Sequence, residues 1–233
     1  MLDNLLMTAS NFSTWDLCAL LVFLAAWAGM GLIIEQENPS RPSTHTLMRE
    51  FRLQWMETMV TRNPRIFDMV ALTSLRQGGS FFASACLIAI GGGVALLGQA
   101  ERLAGLASDI SADLTAPLIV WEAKILLILL VLAYALLKFI WSIRLFGYCA
   151  VVMGAVPNDP EHPEAFKIAK RAGKLNIYAA RSFNRGLRAI YFALGAIAWL
   201  LGPLAFLLAI VLTVWMLYRR EFHSLSRSAL LEE

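Results

Sequence analysis

The sequence predicts an all-α fold, an integral membrane bundle of about four transmembrane helices with two amphipathic cytoplasmic helices. Three observations lead there. Of 233 residues, 58% are apolar and only 16% are charged, against roughly 45–50% and about 25% in soluble domains. Mean hydropathy is +0.62, more apolar surface than a soluble domain of this length can bury. Four runs also approach the roughly 20 apolar residues needed to cross about 30 Å of hydrocarbon.

The first predicted span covers residues 15–34, with Asp16 at its edge. Residues 1–14 carry Asp3 and no Lys or Arg. A cleavable signal opens on a basic region, so this run reads as a retained span. Residues 35–80 follow as a loop, in which Pro39-Ser40-Arg41-Pro42-Ser43 breaks the chain and 43–80 is helical. Leu47, Phe51, Trp55 and Met59 recur there at helical spacing, with Arg49, Arg52, Glu57 and Arg62 on other faces. That pattern suits an amphipathic helix in the interface. Asn63-Pro64 ends it and starts the next helix, with Pro64 at the first position, running unbroken into the second span at 81–98.

The third span covers 117–141. Trp121 and Trp141 are 20 residues apart, which at 1.5 Å per residue is about one hydrocarbon thickness. Asp16, Glu122, Lys124 and Lys138 all fall near span ends, where long side chains snorkel to water. In the cytoplasmic loop at 158–188, Asn158-Asp159-Pro160 signals a helix start, with Glu161 and Glu164 in the first turn. Lys167, Lys170, Arg171 and Lys174 then form a basic stripe, and Ile168, Ala172, Leu175 and Ala179 an apolar stripe beside it. The basic stripe is the candidate anionic-lipid contact, and the alternative for the segment is a helix that docks on the bundle.

The fourth span, 189–218, is divided by Gly202-Pro203. One reading is a single helix kinked at the proline. The other is a re-entrant hairpin. The kinked helix fits better, because each half of the apolar run is too short to cross and a hairpin tip in lipid exposes backbone groups.

Basic residues mark cytoplasmic loops. The first loop holds Arg41, Arg49, Arg52, Arg62, Arg65 and Arg76, and the third is equally basic. The N-terminal tail and the second loop carry Asp3, Asp16, Glu101, Asp109 and Asp113 against Arg102. The N-terminus is therefore predicted outside, with both basic loops cytoplasmic in a cell (inner) membrane. Four spans place the C-terminus outside, yet Arg219, Arg220 and Arg227 favour the cytoplasm.

Function is approached by elimination. His45, His162 and His223 are scattered outside the spans and form no ligand pair. Cys18, Cys86 and Cys149 lie in or beside apolar runs, as small core residues do. No nucleophile–base spacing occurs, so no enzyme and no cofactor or metal is predicted. The basic residues sit against hydrophobic spans, so no nucleic-acid binding is predicted. Small residues let helices approach in lipid. Ala85, Ala89 and Gly93 give such a face on the second span, a candidate helix-packing or oligomer seam.

The runs RGLRAIYFALGAIAWLLGP and YRREFHS resemble the C-terminal signature of the Domain of Unknown Function 599 family, and LRQGGSFFAS and SIRLFGYC are similar to its other shared segments. The similar pieces include Arg185, Gly186, Arg188, Gly202, Pro203, Arg219, Arg220 and Glu221. The resemblance implies a multi-pass bacterial membrane protein and carries no activity. The leading expectation is a non-enzymatic accessory or scaffold subunit. Its partners are membrane lipids and a protein partner or a second copy. The alternative is a small channel or transporter formed by self-association.

Overall fold

The computed structural model describes residues 11–37, 40–102, 105 and 116–231. The expected charges Asp3, Asp109 and Asp113, and Pro39 in the first loop break, lie outside the described residues. Those residues form α1 (Thr14–Glu35), α2 (Thr44–Val60), α3 (Ile66–Leu97), α4 (Leu118–Gly154), α5 (Ala165–Ile197), a 3-10 turn (Ala198–Leu201), α6 (Pro203–Phe222) and α7 (Leu225–Leu231). Four of the helices are long and apolar enough to cross a membrane: α1, α3, α4 and the segment Pro203–Leu231.

The chain divides into two compact units. The first comprises Met1–Ile33, Cys86–Tyr134 and Arg188–Tyr218; the second comprises Ile34–Ala85, Ala135–Leu187 and Arg219–Glu233.

In the first unit, Phe23 of α1 is fully buried and is the centre of the packing. Its ring meets Phe192 edge-on at 5.7 Å and Phe206 at 5.3 Å. Trp27 meets Tyr134 of α4 edge-on at 5.1 Å. Asp16 pairs with Lys124, ten residues or so before that contact on both helices, so α1 and α4 run parallel here. Asp16 also meets Trp199 while Phe23 meets Phe192, so the end of α5 runs antiparallel to α1.

The expected single kinked span is not what forms. A Cβ on Gly195 would lie 3.1 Å from Thr213 Oγ1 and 3.7 Å from the Ala209 carbonyl oxygen. In one continuous helix those positions would be more than about 20 Å apart. The chain therefore folds back at Gly202, and the end of α5 and α6 pack as an antiparallel hairpin. Gly202 has φ 110°, a backbone region that is essentially reserved for glycine. Its N–H donates to the Trp199 carbonyl at 3.0 Å, and its own carbonyl accepts from Phe206 at 3.2 Å. Pro203, which has no N–H to satisfy, then opens α6. The ring of Trp199 stacks on Phe206 at 4.9 Å across the bend.

Two arguments had favoured the kink. The first was length, and it fails because α5 begins far upstream of residue 189 and reaches 33 residues, while α6 has 20. At 1.5 Å per residue, 20 residues reach about 30 Å. The second was an exposed tip, and the tip's backbone groups are bonded locally.

In the second unit, α4 and α5 pack antiparallel along a seam of small residues. Ser142 Oγ donates to the Ala179 carbonyl at 2.8 Å, and Cys149 Sγ to the Ala172 carbonyl at 3.3 Å. Ser182 Oγ donates to the Lys138 carbonyl at 2.8 Å. Ala165, Ala169, Ala172 and Ala179 are all fully buried, at the heptad-like spacing of a close helix crossing. Met56, Met59 and Val60 of α2 join them in one core with Leu145, Phe146 and Met153 of α4. Asp68 of α3 is fully buried and accepts from Trp55 Nε1 at 2.8 Å and from Arg62.

Three boundaries differ from expectation. The third helix extends to Gly154, because the apolar run continues and Ser142 and Cys149 face α5. The helix after Asn63-Pro64 begins at Ile66. The expected separate surface helix at 158–188 is the first part of α5, which starts at Ala165. Residues 158–164 instead make turns, with Asp159 Oδ1 accepting from the Glu161 N–H at 3.0 Å.

Gly186 tests this packing. A Cβ there would lie 2.8 Å from Phe139 Cζ, inside the ring cluster of Phe82, Phe139 and Phe183. Gly186→Val is expected to cost about 1–3 kcal/mol by overpacking. The measurement is thermal melting of the purified protein in detergent, and an unchanged melting temperature would contradict the close contact.

Candidate functional site

Two polar clusters stand out, one in each unit. In the first, Asp16 and Lys124 are 8% and 5% exposed, and their charged atoms lie 3.7 Å apart. Asp16 also accepts from Ser13 Oγ at 2.6 Å and from Trp199 Nε1 at 2.7 Å. The Lys124 ammonium lies 5.7 Å from the centre of the Trp121 ring and 5.6 Å from that of Trp199, within cation–π range. Neither charge snorkels, although that was the expected fate of both. Two residues at the starts of two parallel helices face each other instead.

In the second unit the polar groups gather around the start of α2. Ser43 caps it: its Oγ accepts from the Thr46 N–H at 3.2 Å and donates to the Ile34 carbonyl at 2.7 Å. A carboxylate supports the same helix end, with Glu221 Oε2 accepting from the His45 N–H at 3.2 Å. The tail of the chain is tied down here. Thr44 Oγ1 donates to the Glu221 carbonyl at 3.1 Å, Arg227 Nε donates to the Pro42 carbonyl at 3.0 Å, and Arg41 bonds His223 at 2.9 Å. The tail thus packs against the segment that opens the first basic loop.

Beside this junction is a cavity of about 290 Å3, walled by His45, Arg49, Arg52, Asn184, Arg220 and Glu221 among others. The Asn184 amide lies 3.1 Å from His45 Nδ1. Arg52 bonds the Asn176 side-chain oxygen. Burial pushes the Arg52 guanidinium below its ordinary pKa, against a smaller opposing effect from Cys149. Arg49 bonds Glu37 and holds that carboxyl below its usual range. Next to it, Arg185 Nε and Nη2 grip Glu35 in a fork at 2.8 and 2.5 Å, the geometry that suits guanidinium and carboxylate.

That fork explains why the basic segment before residue 189 can be helical and packed. Arg185, and Arg181 at 3.9 Å, find Glu35 at the end of α1. Glu35→Gln removes the carboxylate that Arg185 and Arg181 share and is expected to cost about 1–3 kcal/mol. A melting-temperature drop smaller than that of an exposed Glu57→Gln control would refute this.

The sequence-predicted residues separate. Lys167, Lys170, Arg171 and Lys174 form one exposed face of α5, with Lys167 pairing Glu164 at 3.2 Å. The apolar stripe beside them is packed inward. Of the small-residue face on α3, Gly93 meets the Leu129 side chain and is used within the first unit. Ala85 and Ala89 are exposed. His162 Nδ1 accepts from the Glu164 N–H at 3.2 Å. Among the described residues no three His, Cys, Asp or Glu side chains gather to hold a metal.

The class these features define is an all-helical protein with several helices fit to cross a bilayer and a cation-rich polar junction. The family model for proteins of unknown function DUF599 matches residues 18–226, so the chain belongs to that family. No curated protein and no solved structure matches it significantly.

Proposed function

We propose that the protein is a non-enzymatic, multi-pass protein of the cell membrane that works by association, as an accessory or scaffold subunit. Its N-terminus faces outward, and the basic loops and the C-terminal tail face the cytoplasm. One observation carries this reading. On α3 in the first unit, Ala89, Gly91 and Gly92 are exposed, and among the described residues nothing beyond the helix's own backbone lies within 4 Å of where a Cβ would sit on Gly91 or Gly92. Lipid chains gain little there, whereas a second helix gains close backbone approach. Ile88, one turn before Gly92 on the same side of the helix, is 76% exposed, an apolar shoulder for such a contact.

The experiment is native mass spectrometry of the full-length protein released from membranes in mild detergent. The expected result is a complex larger than one chain, reduced to monomer by Ala89→Leu with Gly92→Leu. A wild-type protein that is monomeric throughout overturns the proposal. The buried Asp16–Lys124 pair favours a second reading, a channel or transporter formed by self-association, since ionisable groups within spans mark ion pathways. Ion flux in proteoliposomes, altered by Asp16→Asn, supports that reading, and tight liposomes remove it.

A further inference from the structure

We propose that the cavity at the start of α2 binds a phosphate-bearing ligand, gripped by Arg49, Arg52 and Arg220. Three guanidiniums from two helices line it; Arg49 is paired with Glu37 and Arg220 with Glu221, whereas Arg52 has no ionic partner among the described residues. The imbalance is not spread over a water-washed surface. Arg52 is partly buried, and among the described residues its bonded partner is the neutral Asn176 amide. A guanidinium removed from water without a counter-charge is costly, so an anion that reached it would be held firmly.

Two further observations point to an oxyanion. The first turn of α2, through Thr44 and His45, lines the cavity, and a 17-residue helix presents positive potential at that end. Glu221, only 6% exposed, already places a carboxylate oxygen 3.2 Å from the His45 N–H. The site thus accommodates an oxyanion and stabilises it by backbone donation. The volume, about 290 Å3, far exceeds the roughly 30 Å3 share of one water molecule. Guanidinium forks match the oxygens of phosphate esters bidentately. Such chemistry reaches the site either on a lipid headgroup or on a soluble phosphate compound. The position of Arg220, two residues beyond the end of the apolar run at Tyr218, suits both.

The test uses full-length protein in a neutral maltoside detergent, titrated by calorimetry with inorganic phosphate and with dihexanoyl phosphatidylglycerol. Saturable binding is expected, weakened at least tenfold by Arg52→Gln and by Arg220→Gln. Glu221→Gln is expected to tighten it, because a competing negative charge is gone; a merely structural junction would not respond so. Lys170→Gln, on the exposed stripe of α5, is expected to leave affinity unchanged. Binding of the diester alone assigns a lipid headgroup, and binding of inorganic phosphate assigns a soluble source. Absence of saturable binding for both probes overturns the proposal. So does wild-type affinity in both arginine variants, or an equal loss in Lys170→Gln.

Discussion

Asp16→Asn is expected to be among the most destabilising single substitutions in the chain. It removes the one carboxylate that, among the described residues, pairs with Lys124, which is 5% exposed and lies between Trp121 and Trp199. Breaking a buried pair by neutralising one partner typically costs about 3–5 kcal/mol, because the other charge stays buried. For a chain of this size each kcal/mol shifts the melting temperature by roughly 2–4 °C, so a loss of about 10 °C is expected in detergent. The double variant Asp16→Asn with Lys124→Met is the informative control. It removes both charges and keeps the volume, so it is expected to recover most of the loss. If the double variant melts as low as the single one, the pair is not the cause. Ser13 Oγ and Trp199 Nε1 donate to different oxygens of Asp16, and asparagine keeps an acceptor for only one of them, so the double variant is what separates the charge from the hydrogen bonds.

The second large effect is all-or-none. A reporter fused after Glu233 is expected to behave as one on the side of Lys170. Single cysteines at Ser228 and Lys170, in a background without native cysteines, are expected to react with an impermeant thiol reagent from the same face of intact cells or oriented vesicles. The fold-back at Gly202 and the ties from Thr44, Pro42 and Arg41 to the last residues require it. Labelling from opposite faces would restore the single kinked span and refute the hairpin.

How much of this was legible in the sequence depends on what each residue's neighbours do. The long apolar runs were legible, since length and composition alone make α1, α3 and most of α4. The course of α2 was legible from the spacing of Leu47, Phe51, Trp55 and Met59. The hairpin was misjudged because Arg181, Arg185 and Arg188 interrupt the apolar run. A window of hydropathy sees them as a boundary. It does not see Glu35, 150 positions away, which makes a charged helix face packable. The same blindness hid the Asp16–Lys124 pair, whose members each look like a charge at a span end. The close-packed seam was sought on α3, where glycines are conspicuous. The structure builds it from the alanines of α5 at positions 165, 169, 172 and 179, a signal present in the sequence but masked by the lysines between them. The cavity at α2 had no sequence signature, since Arg49, Arg52 and Arg220 come together only through the tail's return.

The Glu35–Arg185 fork also bears on how the chain is built during synthesis. On insertion scales an arginine at the centre of a helix costs about 2.5–3.5 kcal/mol, so the latter part of α5 is a poor candidate to enter a bilayer alone. α1, made before it, carries the carboxylate that pairs with Arg185, and α6, made after it, supplies the apolar partner that folds against it. The polar helix is thus a dependent passenger between an early anchor and a late one. Biogenesis of the C-terminal half must wait on both.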